Sequence, residues 1–169
     1  MRILSALMLI FCFGFATYAQ ASFEPVKQQV NSSGETTLRF ESETENIEVV
    51  ISAHEVDIGS PHEPSPATKH TSCTYSKFPC SIVDNIMISV NSKPIYIARS
   101  AFCDIADVST AALISTDKGY CLELHYGSDF LVYIATLRFD EQLVYEREVL
   151  LTNFSDVVEK TWYSNKFYE

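Results

Sequence analysis

Thiols, imidazoles and closely spaced carboxylates are the groups of this chain that could do chemistry. His125 stands two residues after Glu123, so on a strand the two share a face. With Asp104 they would make an acid–base set for a small hydrolase, in the way paired proton donors and acceptors serve bond cleavage. Asp104 and Asp107 lie three apart, the spacing that puts both carboxylates on one side of a helix, where they could share a cation or a proton. His54 occupies a similar strand position to His125. His70, Cys73 and Cys80, with His62, contain metal-ligand types, but C-x6-C is wider than the two-to-four-residue spacing of zinc ligand pairs. The chain carries no nucleophile elbow, phosphate loop, dinucleotide fingerprint, H-E-x-x-H or EF-hand loop. Solvated strand and helix faces are the ordinary reading of these residues. The sequence therefore designates no catalytic residue, no metal ligand and no cofactor.

The cysteines say more about where the chain works. Arg2 precedes an apolar run from Ile3 to Phe15, broken only by Ser5 and Gly14, and Ala19-Gln20-Ala21 supplies the small residues of a cleavage site. The run falls short of the roughly 20 apolar residues a membrane span needs, so residues 1–21 read as a signal peptide, with Ala19 as an alternative cleavage position. Phe11 before Cys12 lacks the small residue of a lipidation site, so no membrane anchor is expected after cleavage. Cys12 leaves with the signal. Cys73, Cys80, Cys103 and Cys121 remain, an even set that an oxidising compartment pairs into two disulfides. Three pairings exist; the sequential one, Cys73–Cys80 with Cys103–Cys121, is preferred. The location expected is periplasmic or secreted.

Residues 22–169 then form a single disulfide-braced β domain. Residues 1–21 hold one of the twelve basic residues and none of the 22 acidic ones, so this part carries a net charge of −11. Such acidity argues against nucleic acid as a partner and suits a basic protein. Alternation predicts strands over Thr36–Glu41, Ile47–Ile58, Asn85–Val90, Lys93–Ala98, Ala111–Ser115, Tyr120–Tyr126, Phe130–Phe139, Gln142–Thr152 and Val157–Tyr163, with an edge strand in Ser22–Ser33. Tyr120, Leu122, Leu124 and Tyr126 fall on the inner face, and Cys121, Glu123 and His125 on the other. Ser100 would cap one short helix, Ala101–Asp107. Residues 59–79, with Pro61, Pro64, Pro66 and Pro79, make a long loop. The fold class is mainly β: an antiparallel meander forming a sandwich or curved sheet.

Glu41, Glu43 and Glu45 make the first hairpin tip acidic, and such a tip could plug a basic cleft of a toxin or enzyme. The ordinary alternative is a solvated turn. The tail from Trp162 to Glu169 is rich in aromatics, which are enriched at interfaces, but core packing is the role expected of Trp162. Asn31 and Asn153 stand in formal glycosylation sequons.

The segment Val90-Asn91-Ser92-Lys93-Pro94-Ile95-Tyr96-Ile97-Ala98-Arg99-Ser100-Ala101-Phe102-Cys103-Asp104-Ile105-Ala106-Asp107 resembles part of a family of small exported, periplasmic proteins of Gram-negative bacteria without an assigned activity. The resemblance covers about 60 residues and departs at Ser92, where the family has Gly, and at Cys103, where it has a small residue. It implies a periplasmic location and carries over no catalytic residue. Export, acidity, small size and the disulfide scaffold together lead to a protein-binding role, in its most specific form an immunity protein or inhibitor of a periplasm-directed toxin. A small secreted hydrolase and an envelope-associated structural or ligand-binding protein are the alternatives.

Overall fold

The computed structural model describes residues 24–64, 72–73, 77–128 and 131–164, and the expected signal segment, residues 1–21, lies outside them. Twelve strands run in chain order: β1 (Val26–Gln29), β2 (Gly34–Glu41), β3 (Asn46–Val56), β4 (Gly59–Ser60), β5 (Glu63–Pro64), β6 (Cys80–Val90), β7 (Lys93–Pro94), β8 (Thr110–Thr116), β9 (Gly119–Gly127), β10 (Val132–Phe139), β11 (Val144–Leu151) and β12 (Asp156–Trp162). They form a six-stranded sheet, β1-β8-β9-β10-β11-β12, and a four-stranded sheet, β2-β3-β6-β7, with β4 and β5 as a small separate ribbon. Every pairing between these strands is antiparallel, and one isolated bridge, Tyr96 with Leu143, is parallel. The fold is thus the expected mainly β meander, in sandwich form.

Period-two alternation explains the packing. Leu38 and Phe40 of β2, Ile47, Val49 and Ile51 of β3, and Ile86, Ile88 and Val90 of β6 point from one sheet. Ala111 and Leu113 of β8, Tyr120, Leu122 and Leu124 of β9, Ala135, Leu137 and Phe139 of β10, and Val144 and Val149 of β11 meet them from the other. Fully burying one such aliphatic side chain stabilises by roughly 1.5–3 kcal/mol, so this shared layer holds the two sheets together. A smaller cluster of Ile58, Cys73, Cys80 and Ala106 sits beneath the loop end.

Local departures have identifiable causes. The register of β3 with β6 shifts between Ser52 and Ala53, leaving Asp84 and Asn85 both exposed, the signature of a β-bulge. The Asn91-Ser92 turn has φ of 51° and 64°, so both residues are left-handed, as a two-residue hairpin requires. Ser92 therefore occupies a backbone position that favours glycine. The strand expected over Lys93–Ala98 joins the four-stranded sheet only at Lys93–Pro94, and Tyr96 instead makes an isolated bridge to Leu143; Pro94 sits on the sheet's edge, where its missing N–H costs no ladder bond. The expected helix Ala101–Asp107 is reduced to a 3-10 turn at Arg99–Ala101. The reason is competition from β6: Val83 N–H donates to Ile105 O and Asp107 N–H donates to Ser81 O, drawing 105–107 alongside that strand. Among the described residues no helix is long and apolar enough to cross a membrane.

Candidate functional site

One end of the sandwich gathers four hairpin turns. The β2–β3 turn is closed by Ser42 N–H to Glu45 O at 2.8 Å, and Ser42 Oγ accepts from Glu45 N–H at 3.0 Å. The β6–β7 turn is tied to it, since Asn91 N–H donates to Asn46 O and Asn46 N–H donates to Asn91 Oδ1. The β8–β9 turn reverses at Asp117-Lys118, where Thr116 Oγ1 donates to Gly119 O. The β10–β11 turn is an Asx turn: Asp140 Oδ1 accepts from Gln142 N–H (2.7 Å) and Leu143 N–H (3.0 Å). Tyr96 bridges across by donating its N–H to Gln142 O and accepting from Val144 N–H.

These turns carry Glu41, Glu43, Glu45, Asp117, Asp140 and Glu141, against Lys93 and Lys118. The acidic tip of the first hairpin is therefore the start of a larger acidic pole. Glu41 and Glu43 are exposed, while Glu45 is half-buried and bonded to the Tyr120 hydroxyl. Burial first, then that bond and the charges of Glu45 and Glu141, push the Tyr120 phenol well up, so it stays a neutral donor. The Tyr120 ring packs on Phe139 at 5.5 Å between centroids, seating the pole on the core. Val90, Asn91, Lys93, Glu141 and Gln142 line a cleft of about 250 Å³ there.

The remaining sequence candidates are dispersed. Cys73 and Cys80 are bonded as expected, with Cα atoms 6.0 Å apart. The second expected bridge is not formed: Cys103 is exposed and free, and Cys121 is buried and free. The pleat of β9 is the physical reason. Leu122 and Tyr120 face the core, so Cys121 faces out, opposite Arg138, whereas Cys103 lines a separate cleft with His54 and Asp84. Burial, reinforced by Glu123, pushes the Cys121 thiol up to about 12, despite Arg138.

The hydrolase set is split in the same way. His125 Nε2 and Glu123 Oε2 lie 3.9 Å apart on the outer face. Asp104 is on the inner side, where it accepts from Arg147 Nη2 at 2.7 Å. Asp107 does not pair with Asp104 either; its Oδ1 accepts from Ser81 N–H at 3.0 Å and its Oδ2 is buried without a partner. Burial raises its carboxyl above the usual value, against the lowering effects of the Ser81 bond and Lys77. His62 is exposed, and His70 lies outside the described residues, as does the tail beyond Ser164. No group of three or more metal-ligating side chains occurs among the described residues. Trp162 is exposed, with Lys160 Nζ 5.1 Å from its ring centroid, and so is not a core residue.

Two arrangements were not visible as sites in the sequence. Arg147 of β11 points into the sandwich with its side chain only 3% exposed, held by Asp104 and by Glu159 of β12. Its alternation with Val149 was the available signal. His54 Nδ1 meets both oxygens of Asp84, at 2.7 and 2.8 Å, across the β3–β6 bulge; a bulge gives no sign of itself in alternation alone.

No protein-family model matches the chain, and no curated protein or solved structure matches it.

Proposed function

We propose that this chain is an exported protein that acts by binding another protein, and that the acidic pole is its contact surface. In its most specific form it is an immunity protein or inhibitor that neutralises a basic, periplasm-directed toxin. The observation that carries this reading is the convergence of four hairpin turns on one end, with six carboxylates against two lysines. Loops held by a rigid scaffold are where sandwiches place recognition, and complementary charge supplies fast association and partner choice. The bonds that close these turns fix the carboxylates before binding, which lowers the ordering cost of association. Splitting of the Glu123, His125 and Asp104 set between two faces favours binding over the hydrolase alternative.

The test uses the quadruple variant E41K/E43K/D140K/E141K beside the natural chain. A partner isolated from the native periplasm is purified and titrated against both by calorimetry. A stoichiometric complex that weakens as salt rises and is lost in the variant is expected. A partner that binds the variant equally well, or no partner at all, overturns the reading.

A further inference from the structure

A second cluster of reactive groups lies away from the acidic pole. His54, Ile82, Val83, Asp84, Arg99 and Cys103 line a cleft of about 220 Å³. Among the described residues Cys103 is the exposed free thiol; Cys121 is buried and held protonated, and Cys73 and Cys80 are bonded to each other. Cys103 N–H donates to Arg99 O at 3.0 Å, so one tight turn sets the thiol and the guanidinium on the same wall. Arg99 forms no ion pair with a described residue, although the chain is strongly acidic. Asp84 lines the same cleft, and both its oxygens are directed to His54 Nδ1, which occupies that carboxylate. Ile82 and Val83 supply an apolar floor. The cleft is therefore lined by a free thiol and by a cation with no ion-pair partner among the described residues.

We propose that this cleft is an S-thiolation site, in which Cys103 forms a mixed disulfide with a small anionic thiol of the glutathione type while Arg99 receives one of its carboxylates. The Cys103 thiolate attacks one sulfur of the symmetrical disulfide. Its S–S bond breaks, the Cys103–sulfur bond forms, and the other half leaves as a thiolate that takes up the proton Cys103 gave up. The disulfide itself is the oxidant. Guanidinium and carboxylate are a matched pair, and Lys in place of Arg would lose the two-pronged geometry.

The test compares oxidised glutathione, which is anionic, with cystamine, which is cationic, on the full chain carrying Cys12→Ser at low ionic strength. Adducts are followed by intact mass, and each rate is normalised to that of the urea-unfolded chain. The acidic net charge by itself favours cystamine, so the two ideas predict opposite orders. The proposal expects one adduct, mapped to Cys103 and absent in C103S, with the normalised glutathione rate ahead by roughly twofold to fivefold, the range of a single exposed ion pair. The exposed Arg99→Gln change should abolish that lead and leave the cystamine rate the same or higher. Equal or reversed rates, a preference indifferent to R99Q, an adduct on Cys121, or no adduct overturns it.

Discussion

Arg147 offers the sharpest test of how the fold is held at its β12 side. Its guanidinium is almost wholly buried, while the carboxylates that meet it, Asp104 and Glu159, are 51% and 40% exposed. Its Nε has no partner. Removing a carboxylate therefore strands a buried cation, whereas removing the cation returns two carboxylates to water that already reaches them. Losing one partner of a fully buried pair costs about 3–5 kcal/mol. Half-exposure of the acids and the presence of a second one reduce that, so D104N and E159Q should each cost roughly 1–2 kcal/mol. The double variant D104N/E159Q leaves no anion and should approach the full roughly 3–5 kcal/mol. Arg147→Met keeps an unbranched apolar stem, though a shorter one, and removes the charge, so its cost should stay within about 1 kcal/mol, because replacing a buried ion pair by apolar packing is often neutral. Equilibrium urea denaturation at neutral pH reads all four as midpoint shifts at constant slope. If R147M is as destabilised as the double variant, the cation is not the stranded group and the reasoning fails.

Other expectations follow from single features. Asp107 is a carboxyl whose folded pKa is raised, so the folded state holds its proton more tightly than the unfolded chain does; its contribution is complete below 3.8 and is lost as pH climbs through the folded value. Asp107→Asn tolerates the left-handed φ of 55° and should flatten the fall in stability above that pH, read from urea midpoints across the acid range; an unchanged profile refutes it. Gly119 has φ of +124°, and a Cβ there would stand 2.6 Å from Phe139 O, so G119A should cost at least roughly 1–3 kcal/mol in thermal melts. Opening the Cys73–Cys80 loop, with a sequence separation of 7, by C73S/C80S should cost about 2.5 kcal/mol on the loop-entropy relation, measured in urea.

Alternation made most of the sandwich legible. Tyr120, Leu122 and Leu124 face inward and Cys121, Glu123 and His125 outward, as the pattern predicts. That same pattern held the correction to the second disulfide, because a cysteine on the outer face of β9 cannot turn to a loop packed against the core. Counting cysteines to an even number overrode a geometric signal already present. The Arg99–Ala101 turn was misjudged for a different reason: Ser100, Ala101 and Ile105 favour a helix locally, but the edge of β6 offered backbone partners to 105–107 that no local pattern announces. The bulge that leaves Asp84 beside His54 belongs to the same class, since register is a property of two strands together.

The candidate site shows the same division between local and assembled information. Glu41, Glu43 and Glu45 are adjacent in the chain and were readable as one tip. Asp117, Asp140 and Glu141 are far from them in sequence and join them only because an up-and-down meander returns alternate turns to one end. Their assembly has an energetic consequence. Like charges brought to one pole repel, and the fold answers with tight turns, the Glu45–Tyr120 bond and the tilted Tyr120–Phe139 ring contact instead of with ion pairs. The repulsion is relieved by whatever cation covers the pole, so binding a basic surface should stabilise the fold as well as satisfy the partner. On the proposed reading, an acidic end whose lysines, Lys93 and Lys118, make no ion pair with a described residue is open to a basic partner, whereas Arg138, Arg147 and Lys160 are already spent on carboxylates within the sheet.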